Sequence, residues 1–238
     1  LKAEGVDLQG VYNATDFLTQ SNFVLEMIPD KMRENLCLDQ IADELSDRPK
    51  IGNKVVVIGG GDTASDCLRL SVRMQAEEVT CLYRRTVKEM PGSKKDRKHA
   101  EEEGAKYRFL TQPIRFLGDD EGKLRAVECV EMELGEPDAS GRARPVEVEG
   151  SNFEVECDTA VLALGYWPDP TIGDTTPELE THKWGLIVAD ENTGVTSRPG
   201  IFAGGDAVTG PSLVVTAMDA GRKAAKNIHK YLMAEKEE

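Results

Sequence analysis

The feature that most constrains this chain is the run Lys54-Val55-Val56-Val57-Ile58 followed directly by Gly59-Gly60-Gly61-Asp62-Thr63-Ala64. A continuous β-branched run reads as a strand buried on both faces of a parallel sheet. The turn after it fits G-x-G-x-x-A. It opens a segment of helical periodicity, from Asp62 to about Gln75, with Ala64, Cys67, Leu68, Leu70, Val72 and Met74 as the apolar positions. A second strand is predicted over residues 79–83. Strand, glycine turn, helix and strand at this spacing form the unit that binds a dinucleotide. Gly59 permits the tight turn, Gly61 lets the backbone approach a pyrophosphate, and Ala64 lets the helix pack close to the strand. The helix start presents N–H groups and a positive dipole end to phosphate.

The end of the second strand bears on which dinucleotide is bound. An NAD site carries Asp or Glu there, on the ribose 2′-hydroxyl. This strand ends Tyr83-Arg84-Arg85 instead. Two guanidiniums can clamp a 2′-phosphate, so NADP(H) is the expected ligand, with Lys88 and Lys94 as weaker additions.

Other segments fill in an α/β plan. A short helix is expected around Val11, Ala14, Phe17 and Leu18, and a buried stripe around Phe23, Val24, Leu25, Met27 and Ile28. Asp47-Arg48-Pro49 marks a break. Met90-Pro91-Gly92 reads as a turn, and Lys94–Glu103 as a charged helix stopped by Gly104. From Ile114 to Cys157 apolar and polar residues alternate between turn signals, which predicts an antiparallel meander. A core strand over residues 159–164 follows, ending at Gly165. Residues 186–188 and 200–203 are expected as short strands. A helix is expected from Ser212 to about Met233, with Val215, Met218, Ala225, Ile228 and Leu232 on or near its apolar face.

Composition excludes several functions. The net charge of −14 argues against a nucleic-acid surface, which needs clustered Lys and Arg. No apolar run reaches the length of a membrane span, and no secretory signal is visible, so a cytoplasmic location is expected. The five cysteines, Cys37, Cys67, Cys81, Cys129 and Cys157, are scattered with no C-x-x-C pair. Zinc, iron–sulfur or dithiol chemistry within this chain is therefore not expected. His99, His182 and His229 read as surface residues, and Cys67 as packing.

A second signature lies at Gly204-Gly205-Asp206, where an apolar strand delivers a carboxylate ahead of a helix. Together, VVVIGGGDTASDCLR, LYRRTVKEMPG, AVLALGYWPD and GIFAGGDAVTGPSLVVTAMDAGRKAA resemble the NADPH-dependent glutamate synthase small (beta) subunit and related pyridine nucleotide-disulfide oxidoreductases. The resemblance runs from about Gly5 onward. It implies a Rossmann-like NADP(H)-binding domain with a β-meander, residues 1–165, and the C-terminal part of a second, FAD-binding Rossmann-like domain, residues 166–238. It implies that Gly59, Gly60, Gly61, Asp62, Thr63, Ala64, Arg84 and Arg85 line the NADPH site. It also implies that Asp206, beside Gly205, contacts the ribityl–phosphate region of FAD. The helix after Ser212 would point its N-terminus, near Val214 and Val215, toward the flavin, favouring negative charge there. Ala163-Leu164-Gly165 matches the strand end leading from one domain to the other.

The family's N-terminal FAD-binding G-x-G-x-x-G and its iron–sulfur cysteine clusters are not in this sequence. The chain therefore looks like the C-terminal half of such a subunit, expected to bind NADPH but little or no FAD, and to be inactive alone. The whole protein would pass hydride from NADPH to FAD and electrons to iron–sulfur centres, with no side-chain acid, base or nucleophile required. A large glutamate synthase subunit or another electron-accepting subunit is the implied partner, with a homodimer also open. Two other readings stand beside this one: the same module in a ferredoxin–NADP oxidoreductase or dihydropyrimidine-dehydrogenase-type protein, and a non-catalytic NADP(H)-binding module.

Overall fold

A computed structural model describes residues 3–22, 30–35, 51–137, 141–166 and 168–234. The expected stripe from Phe23 to Ile28 and the break at Asp47-Arg48-Pro49 lie outside them. The chain forms two compact units, Leu1–Gly165 and Tyr166–Glu238.

The first unit is built on a five-stranded sheet. Its strands are β1 (Val11–Asn13), β2 (Lys54–Ile58), β3 (Glu78–Tyr83), β4 (Lys106–Phe109) and β9 (Thr159–Leu162), in the order β1-β9-β2-β3-β4, and every pairing is parallel. Parallel strands need crossovers. Helix α3 (Asp62–Arg73) links β2 to β3, and α4 (Lys94–Glu103) links β3 to β4. Val11 belongs to β1, so α1 (Ala14–Asn22) starts later than expected. The apolar period alone merges the edge strand with the helix. A separate helix, α2, covers Asp30–Asn35.

Strand β2 is buried on both faces, as its sequence requires. Val55 and Val57 pack with Phe17 of α1 and with Ala64, Cys67 and Leu68 of α3. Val56 and Ile58 pack with Phe116, Val127 and Cys129 on the opposite side. That second layer is the antiparallel meander of β5 (Thr111–Gly118), β6 (Leu124–Pro137), β7 (Ala143–Glu147) and β8 (Phe153–Glu156). Strand β6 is its spine. It pairs with β5 along one edge, and with β8 and then β7 along the other.

Helices α3 and α4 are tied by Glu103, whose carboxylate accepts from Arg69 Nε and Nη2 at 2.7 and 2.6 Å and from Arg73 Nη2 at 3.0 Å. The Arg69 and Arg73 guanidiniums hold this carboxyl below its ordinary value of 4.5. A depressed carboxylate contributes stability above its unfolded pKa and loses that contribution as pH falls through its folded pKa. Resistance to chemical denaturant should therefore decline as pH drops below 4.5, and Glu103→Gln should flatten that part of the profile.

The second unit holds α5 (Thr171–Thr175), α6 (Asp206–Thr209) and the long α7 (Val214–Ala234). The expected strands at 186–188 and 200–203 are single bridges, Thr181 to Ile187 and Val195 to Phe202. The buried stripe of α7 also differs from expectation. Ala217, Ala220 and Ala224 face Gly205, Gly204 and Gly194, where an added Cβ would meet those alanines at 3.3, 3.1 and 2.9 Å. Val215, Met218 and Leu232 are 67%, 55% and 49% exposed. Close backbone approach selects alanine over long side chains, so the helix turns its small residues inward.

Candidate functional site

The glycine turn lies where the order of the parallel sheet reverses. Strands β3 and β4 run to one side of β2, and β9 and β1 to the other. Open α/β sheets bind ligands at such a switch point, beyond the carboxyl ends of the strands. Gly59 N donates to Leu82 O at 3.3 Å, and Ala163 N donates to Ile58 O at 2.8 Å, which fixes the turn between β3 and β9.

The three glycines serve different ends. Gly59 has φ +144, and a Cβ there would run into the Ala163 carbonyl. At Gly60 a Cβ would meet the Tyr83 ring at 2.5 Å and Met90 Cγ at 3.1 Å. Gly61 is unlike both. Its φ of −88 and ψ of 179 suit any residue, and a Cβ would meet no protein atom within 4 Å. Neither backbone nor packing requires glycine at 61. Glycine is favoured at this N-cap, and the open space over its backbone leaves a cradle into which a pyrophosphate would fit. Ala64 is buried beneath the turn and its N–H donates to Gly61 O at 3.1 Å, Thr63 is half-buried, and the N–H groups of Asp62 and Thr63 open α3 where no preceding turn offers an acceptor.

The two arginines part company. Arg84 is exposed beyond the end of β3. Arg85 is buried, and its Nε donates to Ala143 O of β7 at 2.8 Å. The expected pair of equivalent clamps is thus one outward guanidinium and one that anchors the meander to the strand end. The sequence shows the charges but not the hairpin that turns one of them inward.

Sequence reading does not anticipate the part played by residues 86–93. Gly92 N donates to Gly60 O at 3.0 Å, Ser93 N donates to Asp62 Oδ1 at 2.6 Å, and the Tyr83 hydroxyl donates to Glu89 O at 2.9 Å. The Glu89 carboxylate accepts from both Thr86 Oγ1 and Thr86 N, which holds it below the ordinary carboxylate range. The turn expected at Met90-Pro91-Gly92 falls earlier, where Glu89 N donates to Thr86 O at 3.2 Å, and the attachment of Gly92 to the glycine loop is not legible in the sequence.

Gly165 follows β9 with φ +91. In the second unit Gly205 (φ +68) leads into α6, which begins at the exposed Asp206, and Gly210 (φ +81) ends that helix. Ser212 Oγ accepts from Thr216 Oγ1 at 3.1 Å, and Val214 and Val215 open α7, both exposed. A cleft of about 710 Å³ in this unit is lined by Tyr166, Trp184, Leu186, Asp206 and Pro211 among others.

Cys67, Cys81, Cys129 and Cys157 are buried, and burial pushes each thiol up to about 12. Thiolate is the reactive form. Iodoacetamide at pH 8 should leave all four unmodified in the folded protein and alkylate them in urea, as read by peptide mass spectrometry. Among the described residues no cluster of His, Cys, Asp and Glu is arranged to hold a metal ion, and no helix is long and apolar enough to cross a membrane.

The pyridine nucleotide-disulphide oxidoreductase model matches residues 21–221. The chain belongs to that family. Within it, the chain is 42% identical over 239 residues to the glutamate synthase [NADPH] small chain of Azospirillum brasilense, covering 100% of this chain and 47% of that one. It is 41% identical over 216 residues to the NADPH-Fe(3+) oxidoreductase subunit beta of Geobacter sulfurreducens, covering 82% and 32%. In fold it is similar to Mycobacterium tuberculosis FprA in complex with NADPH, with TM-score 0.71 at 20% identity, covering 100% of this chain and 62% of FprA. The chain thus spans about half the length, or less, of these curated relatives. Its α/β fold is that of this oxidoreductase family, whose glutamate synthase members lie nearby in sequence.

Proposed function

We propose that this chain is the NADP(H)-binding part of a flavin-dependent oxidoreductase of the glutamate synthase small-subunit kind. Residues 1–165 are its NADP(H)-binding domain and 166–238 the C-terminal part of its FAD-binding domain. The observation that carries the reading is Gly61, an open glycine at the N-cap of α3 that leaves the backbone clear for a closely approaching ligand, beside a strand end whose exposed residue is Arg84 rather than a carboxylate.

The N–H groups of Gly61, the N-cap of α3, and of Asp62 and Thr63 in its first turn would hold the pyrophosphate. Arg84 would take the 2′-phosphate, and Arg85 would fix the strand end that carries it. In the second unit Asp206 would hold the ribityl–phosphate region of FAD, and the N-terminus of α7 would favour negative charge nearby. The residues above would hold a nicotinamide that would supply hydride and a flavin that would supply the electron-accepting ring for onward transfer to iron–sulfur centres. No side chain of this chain needs to move a proton for that, so its work is to bind and orient.

The first test is titration of the 238-residue chain with NADPH and NADH. Tighter binding of NADPH by about tenfold or more is expected, since a 2′-phosphate adds charge-assisted hydrogen bonds. Equal affinities would refute the assignment. The Azospirillum relative favours a large glutamate synthase subunit as partner, and the Geobacter relative a different electron-accepting subunit. Co-purification with the full-length protein separates the two.

A further inference from the structure

Asp62 stands in the first turn of α3, where a carboxylate suits the helix dipole but would repel the pyrophosphate that the proposed site receives at the same turn. Its carboxylate has a specific partner: Oδ1 accepts the Ser93 N–H at 2.6 Å. Ser93 is also the N-cap of α4, with its Oγ accepting from Asp96 N. One residue earlier, Gly92 N donates to Gly60 O. Both bonds tie the end of the 86–93 segment down onto the glycine turn. Its beginning is fixed by Glu89, whose carboxylate caps Thr86 and whose carbonyl receives the Tyr83 hydroxyl. Arg84 stands at that beginning, directly after Tyr83.

We infer that Asp62 and Gly92 are positioning residues for nucleotide selectivity. They hold the 86–93 segment as a strap that sets the span from the pyrophosphate turn to the guanidinium of Arg84. The inference rests on the NADP(H) reading of the site. The turn itself has independent anchors, because Gly59 N bonds to Leu82 O and Gly59 lies against Ala163 O. Releasing the strap should therefore leave pyrophosphate binding in place and degrade recognition of the 2′-phosphate. Gly92 is glycine for a steric reason. A Cβ there would meet Gly60 O at 2.9 Å and Gly61 C at 3.0 Å, which would lift the strap from the turn.

The test uses Asp62→Asn, Asp62→Ala and Gly92→Ala, each titrated with NADPH, NADH and 2′,5′-ADP, with amide hydrogen exchange of residues 86–93 in the free protein. The asparagine keeps the acceptor and removes the charge, whereas alanine removes both. Asp62→Ala and Gly92→Ala are expected to lower the NADPH-to-NADH affinity ratio about tenfold and to speed exchange at Gly92 and Ser93. Asp62→Asn should keep the ratio within about threefold of wild type, the cost of a neutral acceptor replacing a charged one. Gly92→Ala leaves the Asp62 side chain in place, so it carries the test if Asp62→Ala fails to fold. Two outcomes overturn the inference. In one, both Asp62 variants bind both nucleotides more tightly, which makes the carboxylate a repulsive charge only. In the other, stability falls while the ratio stays unchanged, which makes the strap purely structural. A wild-type chain with no NADPH preference would instead defeat the NADP(H) reading. Faster exchange in the variants would then show the strap to be real but without a role in selectivity.

Discussion

Replacing Arg84 with alanine is expected to weaken NADPH binding about 10- to 100-fold while NADH binding changes by no more than about twofold. The 2′-phosphate carries close to two negative charges, and a hydrogen bond to a charged group contributes roughly 1.5–3 kcal/mol. A difference of about 1.4 kcal/mol is a factor of ten in affinity. Arg84 is exposed, so salt should erode the effect, and the difference between wild type and variant should narrow as ionic strength rises. Arg84→Lys should fall between, because an ammonium keeps the charge but not the fork. Arg85→Ala is expected to behave differently. Its guanidinium is buried on the Ala143 carbonyl. Its loss should cost about 1–3 kcal/mol of stability by leaving that acceptor unpaired. Isothermal titration together with urea denaturation of the three variants reads both effects. Loss of NADPH preference in Arg85→Ala with an unchanged denaturation midpoint would move the 2′-phosphate contact from Arg84 to Arg85.

The second large effect concerns Gly59. Gly59→Ala places a methyl group against Ala163 O at a φ of +144, a region that L-residues rarely enter. Backbone strain of about 1–3 kcal/mol adds to overpacking of a similar size. A loss on the order of 2–6 kcal/mol is expected, enough to leave much of the chain unfolded on mild warming if its total stability is ordinary. The opening between β2 and β9 cannot yield easily. Val56 and Ala160 are paired in register, as are Ile58 and Leu162, and all sit in or against the buried layer. Gly61→Ala is the contrast, because an added methyl there meets no protein atom. It should lower stability by no more than about 1 kcal/mol, the cost of alanine in place of glycine at the N-cap of α3. It should nonetheless weaken both NADPH and NADH, since its cost falls on the ligand. Equal destabilisation by the two substitutions would contradict the division of labour among the glycines.

Much of the fold follows from local chemistry that a sequence displays. The apolar residues of β2, buried on alternate faces, announce a central parallel strand because such a run needs cover on both sides. The meander is legible because its strands alternate, and Gly104 because a helix end with φ +116 favours glycine. The edge strand β1 is not legible. So short a segment carries too little period, and it is a strand only because β9 offers unpaired backbone groups beside it. The buried stripe of α7 eludes sequence reading for a related reason. Hydrophobicity ranks Val215 and Met218 above Ala217 and Ala220, but the glycines across from them leave room only for methyl groups.

The strand, glycine turn and helix around Gly59 to Ala64 were determined by the sequence alone, since residue type and spacing set that local geometry. Which arginine faces outward was decided by β7, a strand remote in sequence whose Ala143 carbonyl satisfies Arg85. The partner of Asp62 was likewise decided by tertiary structure, through a loop that returns to its helix. Hydrogen bonds and steric contact act over a few ångströms whatever the separation along the chain. Composition and period can place a charge on an element, but only packing decides whether that charge meets a ligand or a backbone.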